Sequence, residues 1–170
     1  MTSFLGEFEC RLDSKSRFLV PSGLRKQLDP ESNEQFVMNR GFEGCLVLYP
    51  NTAWERITSR LRKLNLFVAK NRAFYRQFHN GATPVSLDSN GRILIPKSLM
   101  GHGGLDKELI LFAYADRIEV WAKKRYDKVM TQDENEFASL AEDVMGEVDP
   151  EIEERWNITQ PFFYIRVLKH

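Results

Sequence analysis

The stretch "LDSKSRFLVPSGL" at residues 12–24 returns further along the chain as "LDSNGRILIPKSL" at residues 87–99. Seven of the thirteen positions are identical, and most of the others exchange similar residues. A repeat of this length within 170 residues indicates an internal duplication. Because similar sequences should fold into similar units, the repeat predicts the overall architecture before any single helix or strand is assigned.

Each copy predicts the same succession of elements. An apolar segment leads into Asp13 or Asp88, a tight Ser-Lys-Ser or Ser-Asn-Gly turn follows, and then comes a short apolar run. These runs, "FLV" and "ILI", are bulky or β-branched and predict buried strands. Pro21 and Pro96 end the runs and are suited to open a short helix.

The duplication continues downstream, where "CLVLYPNTAWERI" at residues 45–57 matches "RIEVWAKKRYDKV" at residues 117–129. Each segment predicts an apolar strand followed by a helix, so each copy has the order β-β-α-β-β. A unit of about 50 residues rarely buries enough surface to be stable alone. We therefore expect the two copies to complete one core together.

A basic helical connector is predicted between the copies. Ile57, Leu61, Leu64 and Val68 fall on one helical face. Beside the single acid Glu55, this segment carries seven basic residues: Arg56, Arg60, Arg62, Lys63, Lys70, Arg72 and Arg76.

The charge of the chain is divided between two regions. Residues 1–130 hold 21 Lys and Arg against 14 Asp and Glu, a net +7, whereas residues 131–170 hold 3 against 10, a net −7. The second region predicts an acidic amphipathic helix through Phe137, Leu140, Val144 and Val148. The asymmetry fits a basic binding surface beside an acidic tail, and it fits equally an ordinary exposed helix. The segment "FFYIRVLK" at residues 162–169 could add a strand to the core or to a neighbouring subunit.

Several classes of protein are disfavoured by the sequence. No apolar run approaches the roughly 18 residues of a membrane span, and the start lacks the pattern of a signal peptide. Cys10 and Cys45 are far apart and predict ordinary cytosolic thiols, not a disulfide or a metal site. We expect no cofactor, no metal and no small-molecule substrate.

An enzymatic site is not indicated. Asp13 and Asp88 could be paired carboxylates, and Ser14 or Ser89 a nucleophile, but the three histidines stand in no recurring relation to them. The sequence holds no nucleophile elbow, zinc-binding helix motif or phosphate loop. The simpler hypothesis is that each aspartate braces its turn.

The arginines at the turns leave two interpretations open. Arg17 and Arg92 follow the turn in both copies, and Lys15 lies within the first turn. They could form bracing ion pairs with the aspartates, or they could offer guanidinium groups to DNA phosphates and to guanine edges.

The doubled motif, the strands "LVLYP" and "IEVW", and the segment "FYRQFHNGATPVSLD" resemble the MraZ family of bacterial transcriptional regulators, from about Phe4 to about Val129. The resemblance implies an α+β fold in which two SpoVT-AbrB-type units form a swapped-hairpin β-barrel within one chain. It also implies sequence-specific binding to double-stranded promoter DNA, ring-like homo-oligomers, and a location in the cytoplasm and on the nucleoid. The regulated genes would be the division and cell-wall cluster, including the protein's own promoter, read through short repeated boxes.

The resemblance carries family roles onto particular residues. DNA binding falls on Lys15, Arg17, Arg25 and Arg92, and bracing of the motif falls on Asp13 and Asp88. Two departures from the family pattern stand out. Ser16 replaces the usual glycine before the first motif arginine, and Met100 occupies the second-copy position of Arg25. The first copy is therefore expected to be the more basic.

The predicted organisation has four parts. Residues 7–54 and 82–125 are the two SpoVT-AbrB-type domains, 55–81 the basic connector and 126–170 the acidic helical extension. The alternative function is a ring-forming scaffold that binds DNA non-specifically or holds acidic proteins.

Overall fold

A computed structural model describes residues 3–28, 35–131 and 133–146, and it divides the chain into the compact units Met1–Asp127 and Lys128–His170. The strands are β1 (Phe4–Arg11), β2 (Arg17–Leu19), β3 (Gln35–Arg40), β4 (Leu46–Pro50), β5 (Thr83–Ser86), β6 (Arg92–Leu94), β7 (Glu108–Ala115) and β8 (Arg117–Ala122). The helices are α1 (Ser22–Arg25), α2 (Asn51–Leu61), α3 (Ala69–His79), α4 (Lys97–Gly103), α5 (Lys123–Met130) and α6 (Glu134–Gly146).

The predicted order β-β-α-β-β is confirmed in both copies. Pro21 and Pro96 directly precede α1 and α4 with φ of −56° and −58°, the value that the pyrrolidine ring imposes. The fold is a mixed α+β fold whose main sheet is antiparallel.

Six of the described strands form one sheet in the order β1-β7-β8-β4-β3-β5. The hairpins β3–β4 and β7–β8 meet through the pairing of β4 with β8. The first strand of each copy lies on the hairpin of the other copy, because β1 pairs with β7 and β5 pairs with β3. Neither copy therefore holds its own complete sheet.

The central strands are buried on both faces because both faces of the sheet are covered. Leu46 and Leu48 of β4 join one core cluster, whereas Cys45, Val47 and Tyr49 join the other. The first cluster takes residues from both copies, including Phe18 and Leu24 from the first copy and Ile93 and Leu99 from the second. The prediction that the two copies complete one core is confirmed.

The second strand of each motif forms a separate two-stranded ribbon, β2 with β6. Across the predicted tight turn, the two strands of each motif pair through single bridges, Leu12 with Phe18 and Leu87 with Ile93. The expectation that both apolar runs are buried is wrong in part. Because side chains alternate across a strand, Phe18 and Ile93 point into the core while Leu19 and Leu94 are exposed.

The connector is helical, as predicted, but it consists of two helices. α2 ends at Leu61 and α3 begins at Ala69, so the face predicted through Leu64 and Val68 does not continue. Asn65 redirects the chain between them: its side-chain oxygen accepts the N–H of Phe67, and its carbonyl accepts that of Val68. Asparagine stabilises turns by such local bonds.

In the second unit, α6 lies at the predicted acidic helix, and Phe137, Leu140 and Val144 are exposed on it. Val148 and the segment at residues 162–169 lie outside the described residues. Across the part of the chain that the structure describes, no helix is long and apolar enough to cross a bilayer.

Candidate nucleic-acid interface

The two motif turns, which we call the first tip (residues 13–17) and the second tip (residues 88–92), are built alike. In the first tip the N–H of Ser16 bonds to the carbonyl of Asp13 at 3.0 Å, and the N–H of Asp13 bonds to the carbonyl of Arg17 at 2.8 Å. The corresponding bonds in the second tip are both 2.8 Å. The duplicated sequence therefore produces a duplicated geometry.

Each tip needs a left-handed residue before its arginine. Gly91 has φ of 74° in the second tip, and Ser16 has φ of 60° in the first. Glycine enters this region freely, whereas a side chain places its Cβ close to the following carbonyl oxygen. Ser16 thus holds the backbone conformation that glycine adopts in the second tip, at some cost in strain.

The tip aspartates hold the backbone and the arginine at once. Asp13 Oδ1 accepts the N–H groups of Lys15 and Arg17 at 2.9 Å, while Oδ2 accepts Nε and Nη2 of Arg17 at 2.8 Å. Asp88 makes the same four contacts, to the N–H groups of Asn90 and Arg92 and to the Arg92 guanidinium. Each guanidinium is fixed by two bonds to one carboxylate, which leaves Nη1 as its remaining nitrogen.

These contacts favour the ionised aspartates. The hydrogen bonds from the Arg17 side chain, with the backbone bond from Arg17, lower the pKa of Asp13 to about 2. The pKa of Asp88 is also lowered, chiefly by the backbone N–H of Arg92. Because both pairs are part-exposed, their effect is to orient the arginines, and solvent limits the stability they contribute.

The ribbon brings the two arginines onto one surface. Arg17 lies opposite Leu94, and Leu19 lies opposite Arg92, so these four side chains share the outer face of the ribbon. Diagonal neighbours of this kind are about 7–8 Å apart. The guanidinium groups are partly covered, with side-chain exposures of 26% for Arg17 and 30% for Arg92.

Arg25 lies at the tip of the other copy. Its Nη2 donates to the carbonyl of Val20 at 3.3 Å, and its guanidinium rests so close to Gly91 that a Cβ there would overlap it. Lys15 is exposed within the first tip. Basic groups are consequently divided between the tips, Lys15 with Arg17 and Arg25 with Arg92, although three of the four belong to the first copy.

Ser16 of the first copy is equivalent to Gly91 of the second, and Arg25 of the first copy is equivalent to Met100 of the second. Arg25 reaches over the second tip, where the residue before the motif arginine is glycine and leaves room for the guanidinium. The glycine of the second tip is therefore linked through the fold to Arg25 of the first copy.

Leu19 and Leu94 belong to this surface, although both were expected in the core. The signal that could have identified them is the period of two: in "RFLV" and "RILI" the arginine and the second apolar residue fall on the same side of the strand.

No arrangement for catalysis accompanies the tips in the described residues. His102 Nε2 bonds to the Gly41 carbonyl, and His79 Nδ1 contacts the Tyr75 carbonyl. The cleft of about 800 Å³ beside Asp13 and Ser14 is lined by no histidine within the described chain. Nor do the described residues gather three His, Cys, Asp or Glu side chains as metal ligands. Burial raises the pKa of Cys10 and Cys45 to about 12, which disfavours the reactive thiolate.

Comparison with known proteins gives consistent matches. The family model described as "MraZ protein, putative antitoxin-like" matches twice, over residues 3–77 and 78–147. The "Transcriptional regulator MraZ" of Christiangramia forsetii is 42% identical over 150 residues, 88% of this chain and 97% of that protein. Proteins of the same name from Cytophaga hutchinsonii and Pediococcus pentosaceus are 42% and 39% identical over 142 residues, 84% of this chain and 94% and 96% of theirs. The double match has the period that the duplicated motif predicts.

Proposed function

Because this chain belongs to the MraZ family, we propose that it is a sequence-specific DNA-binding regulator of transcription and not an enzyme. The observation that carries the proposal is the outer face of the ribbon, where two arginines oriented by carboxylates lie on one exposed surface. The major groove of DNA admits a two-stranded ribbon, and arginine pairs with the N7 and O6 atoms of guanine.

Each basic residue of the tips has a distinct role in this proposal. Arg17 and Arg92 approach base edges, since their aspartates hold them in one orientation and a preorganised side chain loses less entropy on binding. Lys15 and Arg25, which lie at the first and second tip, contact phosphates and set the position of the protein on the duplex. Asp13 and Asp88 brace the motif and do not themselves face DNA.

The architecture is proposed to be the swapped-hairpin barrel of the SpoVT-AbrB type, completed within one chain. The exchange of β1 and β5 between the hairpins of the two copies supports it. We retain the proposed domains at residues 7–54 and 82–125, with the connector at 55–81 and the acidic extension at 126–170.

The targets are proposed to be short repeated boxes at the promoter of the division and cell-wall genes, including the protein's own, so that the protein acts on the nucleoid in the cytoplasm. Several chains in a homo-oligomer, proposed to be a ring, would place several ribbons on successive boxes. Linking weak sites in this way raises the overall affinity by effective concentration.

A gel-shift assay tests the function with DNA from upstream of the chain's own gene, random competitor DNA and varied salt. We expect the wild-type protein to prefer the upstream DNA and to lose affinity steeply as salt rises. Arg17→Ala and Arg92→Ala should each weaken specific binding greatly, since one base-edge contact is worth about 1–3 kcal/mol and every subunit is affected. The proposal fails for a residue whose alanine variant binds normally or is unfolded by circular dichroism.

Asp13→Asn is the matched control. Asparagine keeps an oxygen for the backbone N–H groups of Lys15 and Arg17 but cannot form the ion pair. If Arg17 only braces the tip, Asp13→Asn should weaken DNA binding as much as Arg17→Ala. If Arg17 contacts DNA, the asparagine variant should lose only the part of the affinity that comes from orienting the guanidinium, so it should bind more tightly than Arg17→Ala.

A scaffold function is favoured by a different observation. Apolar side chains are exposed between and on the connector helices, at Leu66, Phe67, Val68 and Phe74. A chain that assembles through this surface and shows no preference for the upstream DNA over random sequence would be a scaffold, and the gel shift separates the two functions.

A further inference from the structure

Leu19 and Leu94 are exposed at equivalent positions of the two copies, with 52% and 54% of their surface accessible. A single exposed leucine is ordinary. These two, however, face outward on the same small ribbon, and each lies directly opposite one of the tip arginines.

Their exposure is not required by the fold. The inward residues Phe18 and Ile93 are 1% and 0% exposed and fill the core beneath the ribbon. An outward polar residue at either leucine position would leave that packing unchanged. Burial of these two leucine side chains therefore contributes favourable free energy only when a partner covers them.

The flanking charges indicate the partner. Two arginines beside two leucines form an outer face that is basic at opposite corners and apolar at the other two. In the major groove, guanine offers acceptors that match arginine, and the C5-methyl of thymine is the apolar group presented on a base edge. Each leucine lies directly across the ribbon from one of these arginines. A ribbon whose arginines reach guanine therefore places its leucines within reach of the thymine methyls of adjacent base pairs.

We propose that Leu19 and Leu94 contact thymine C5-methyl groups in the major groove and thereby determine part of the base preference. This inference rests on the proposed function, since it needs the outer face of the ribbon to enter DNA. The arginines would select guanine, and the leucines would select thymine beside it.

The test uses the shortest duplex that the wild-type protein selects from random sequence, synthesised once with thymine and once with uracil, which lacks only the C5-methyl. For each thymine methyl that a leucine covers, the wild-type protein should bind the uracil duplex about three- to fivefold more weakly, the scale of burying one methyl group. Leu19→Ala and Leu94→Ala should each bind the thymine duplex more weakly and show reduced discrimination. The double variant should bind both duplexes equally.

Leu5→Ala is the matched control, because Leu5 is also an exposed strand leucine, 79% accessible, but lies in β1. It should discriminate thymine from uracil as the wild type does. Melting curves establish that all variants fold.

The inference is overturned if the selected duplex contains no thymine, if the wild type binds both duplexes equally, or if the double variant still discriminates between them. The inference is also overturned if Leu19→Ala and Leu94→Ala leave the affinity for both duplexes unchanged and weaken binding to a protein instead. Failure of the proposed function is a distinct result, in which the wild type selects no duplex from random sequence.

Discussion

At the scale of the residue, the tips show how one backbone requirement is met by two different side chains. Ser16 and Gly91 have φ of 60° and 74° and precede arginines held by the same set of bonds. What differs is the opposite helix, which brings Arg25 against Gly91 and carries Met100 at the equivalent position. Gly91 is therefore constrained both by the turn it belongs to and by the Arg25 side chain that packs against it.

Exchanging the two tip residues should shift stability in opposite directions. Ser16→Gly removes left-handed strain of about 1–2 kcal/mol but adds chain entropy to the unfolded state, so the free energy of unfolding should rise by up to about 1 kcal/mol. Gly91→Ser introduces that strain and displaces the Arg25 guanidinium, so it should lower the free energy of unfolding by at least about 1 kcal/mol. Thermal unfolding measures both, and a Ser16→Gly variant less stable than wild type would contradict the strain argument.

The Asp13 carboxyl should titrate well below its ordinary range. Because its pKa falls from 3.8 to about 2 in the folded protein, its contribution to stability is present above about pH 4 and is lost as pH falls toward 2. In Arg17→Gln the pKa should rise, though not fully, since the N–H of Lys15 still bonds to the carboxylate. Carboxyl NMR titration provides the measurement, and an unchanged pKa in the variant would remove Arg17 as the cause.

At the scale of the element, the ribbon is the place where the two copies depend on each other. Among the described strands, β2 and β6 pair only with each other, apart from single bridges. Their ends also bond across the ribbon: the N–H of Ile95 donates to the carbonyl of Ser16 at 2.9 Å, and the N–H of Val20 to the carbonyl of Gly91 at 3.0 Å. Each strand is thus anchored to the tip of the opposite copy, and the inward residues of both enter one core.

A cavity under the ribbon should destabilise both hairpins together. Ile93→Ala, at a fully buried position, should lower the free energy of unfolding by about 2–5 kcal/mol. Hydrogen exchange of amides in β3–β4 and in β7–β8 should accelerate to the same extent, because the core is shared. The exposed Leu5→Ala variant should change stability by no more than about 0.5 kcal/mol. Acceleration confined to the β7–β8 hairpin would show that the copies unfold independently.

At the scale of the whole molecule, the features beyond the ribbon are an exposed apolar segment and an uneven charge. Phe67 is 96% exposed, with Leu66, Val68 and Phe74 also exposed around it. Oligomers bury such surfaces in symmetric contacts. Residues 1–130 carry a net +7 and residues 131–170 a net −7, so the charge that favours DNA belongs to the first region.

The chain should associate beyond a dimer, and Phe67→Ser should reduce the size of the assembly. Light scattering at working concentrations measures both. Phe42→Ser is the control, since Phe42 is likewise exposed, at 89%, in the turn between β3 and β4. A monomeric wild-type protein would refute the association. If Phe67→Ser and Phe42→Ser reduce the assembly equally, association does not depend on the exposed apolar side chains of the connector.

Much of the fold was predictable because it depends on local chemistry repeated twice. The turns at Asp13 and Asp88, the helices after Pro21 and Pro96, and the strands around "LVLYP" and "RIEVW" follow from residues that are neighbours in the chain. The same holds for the aspartate–arginine pairs of the tips, whose partners are four residues apart. Turn chemistry and apolar runs act over a few residues, so they can be read from the sequence alone.

Two features were decided only by the tertiary structure: β1 and β5 join the opposite hairpins, and Arg25 reaches the tip of the other copy. The reason is that strands pair through backbone N–H and C=O groups, which are alike in nearly every residue and so do not specify which strand is the partner. The motif arginines were determined by the sequence of each copy, and the surface they form was determined by the packing of one copy against the other.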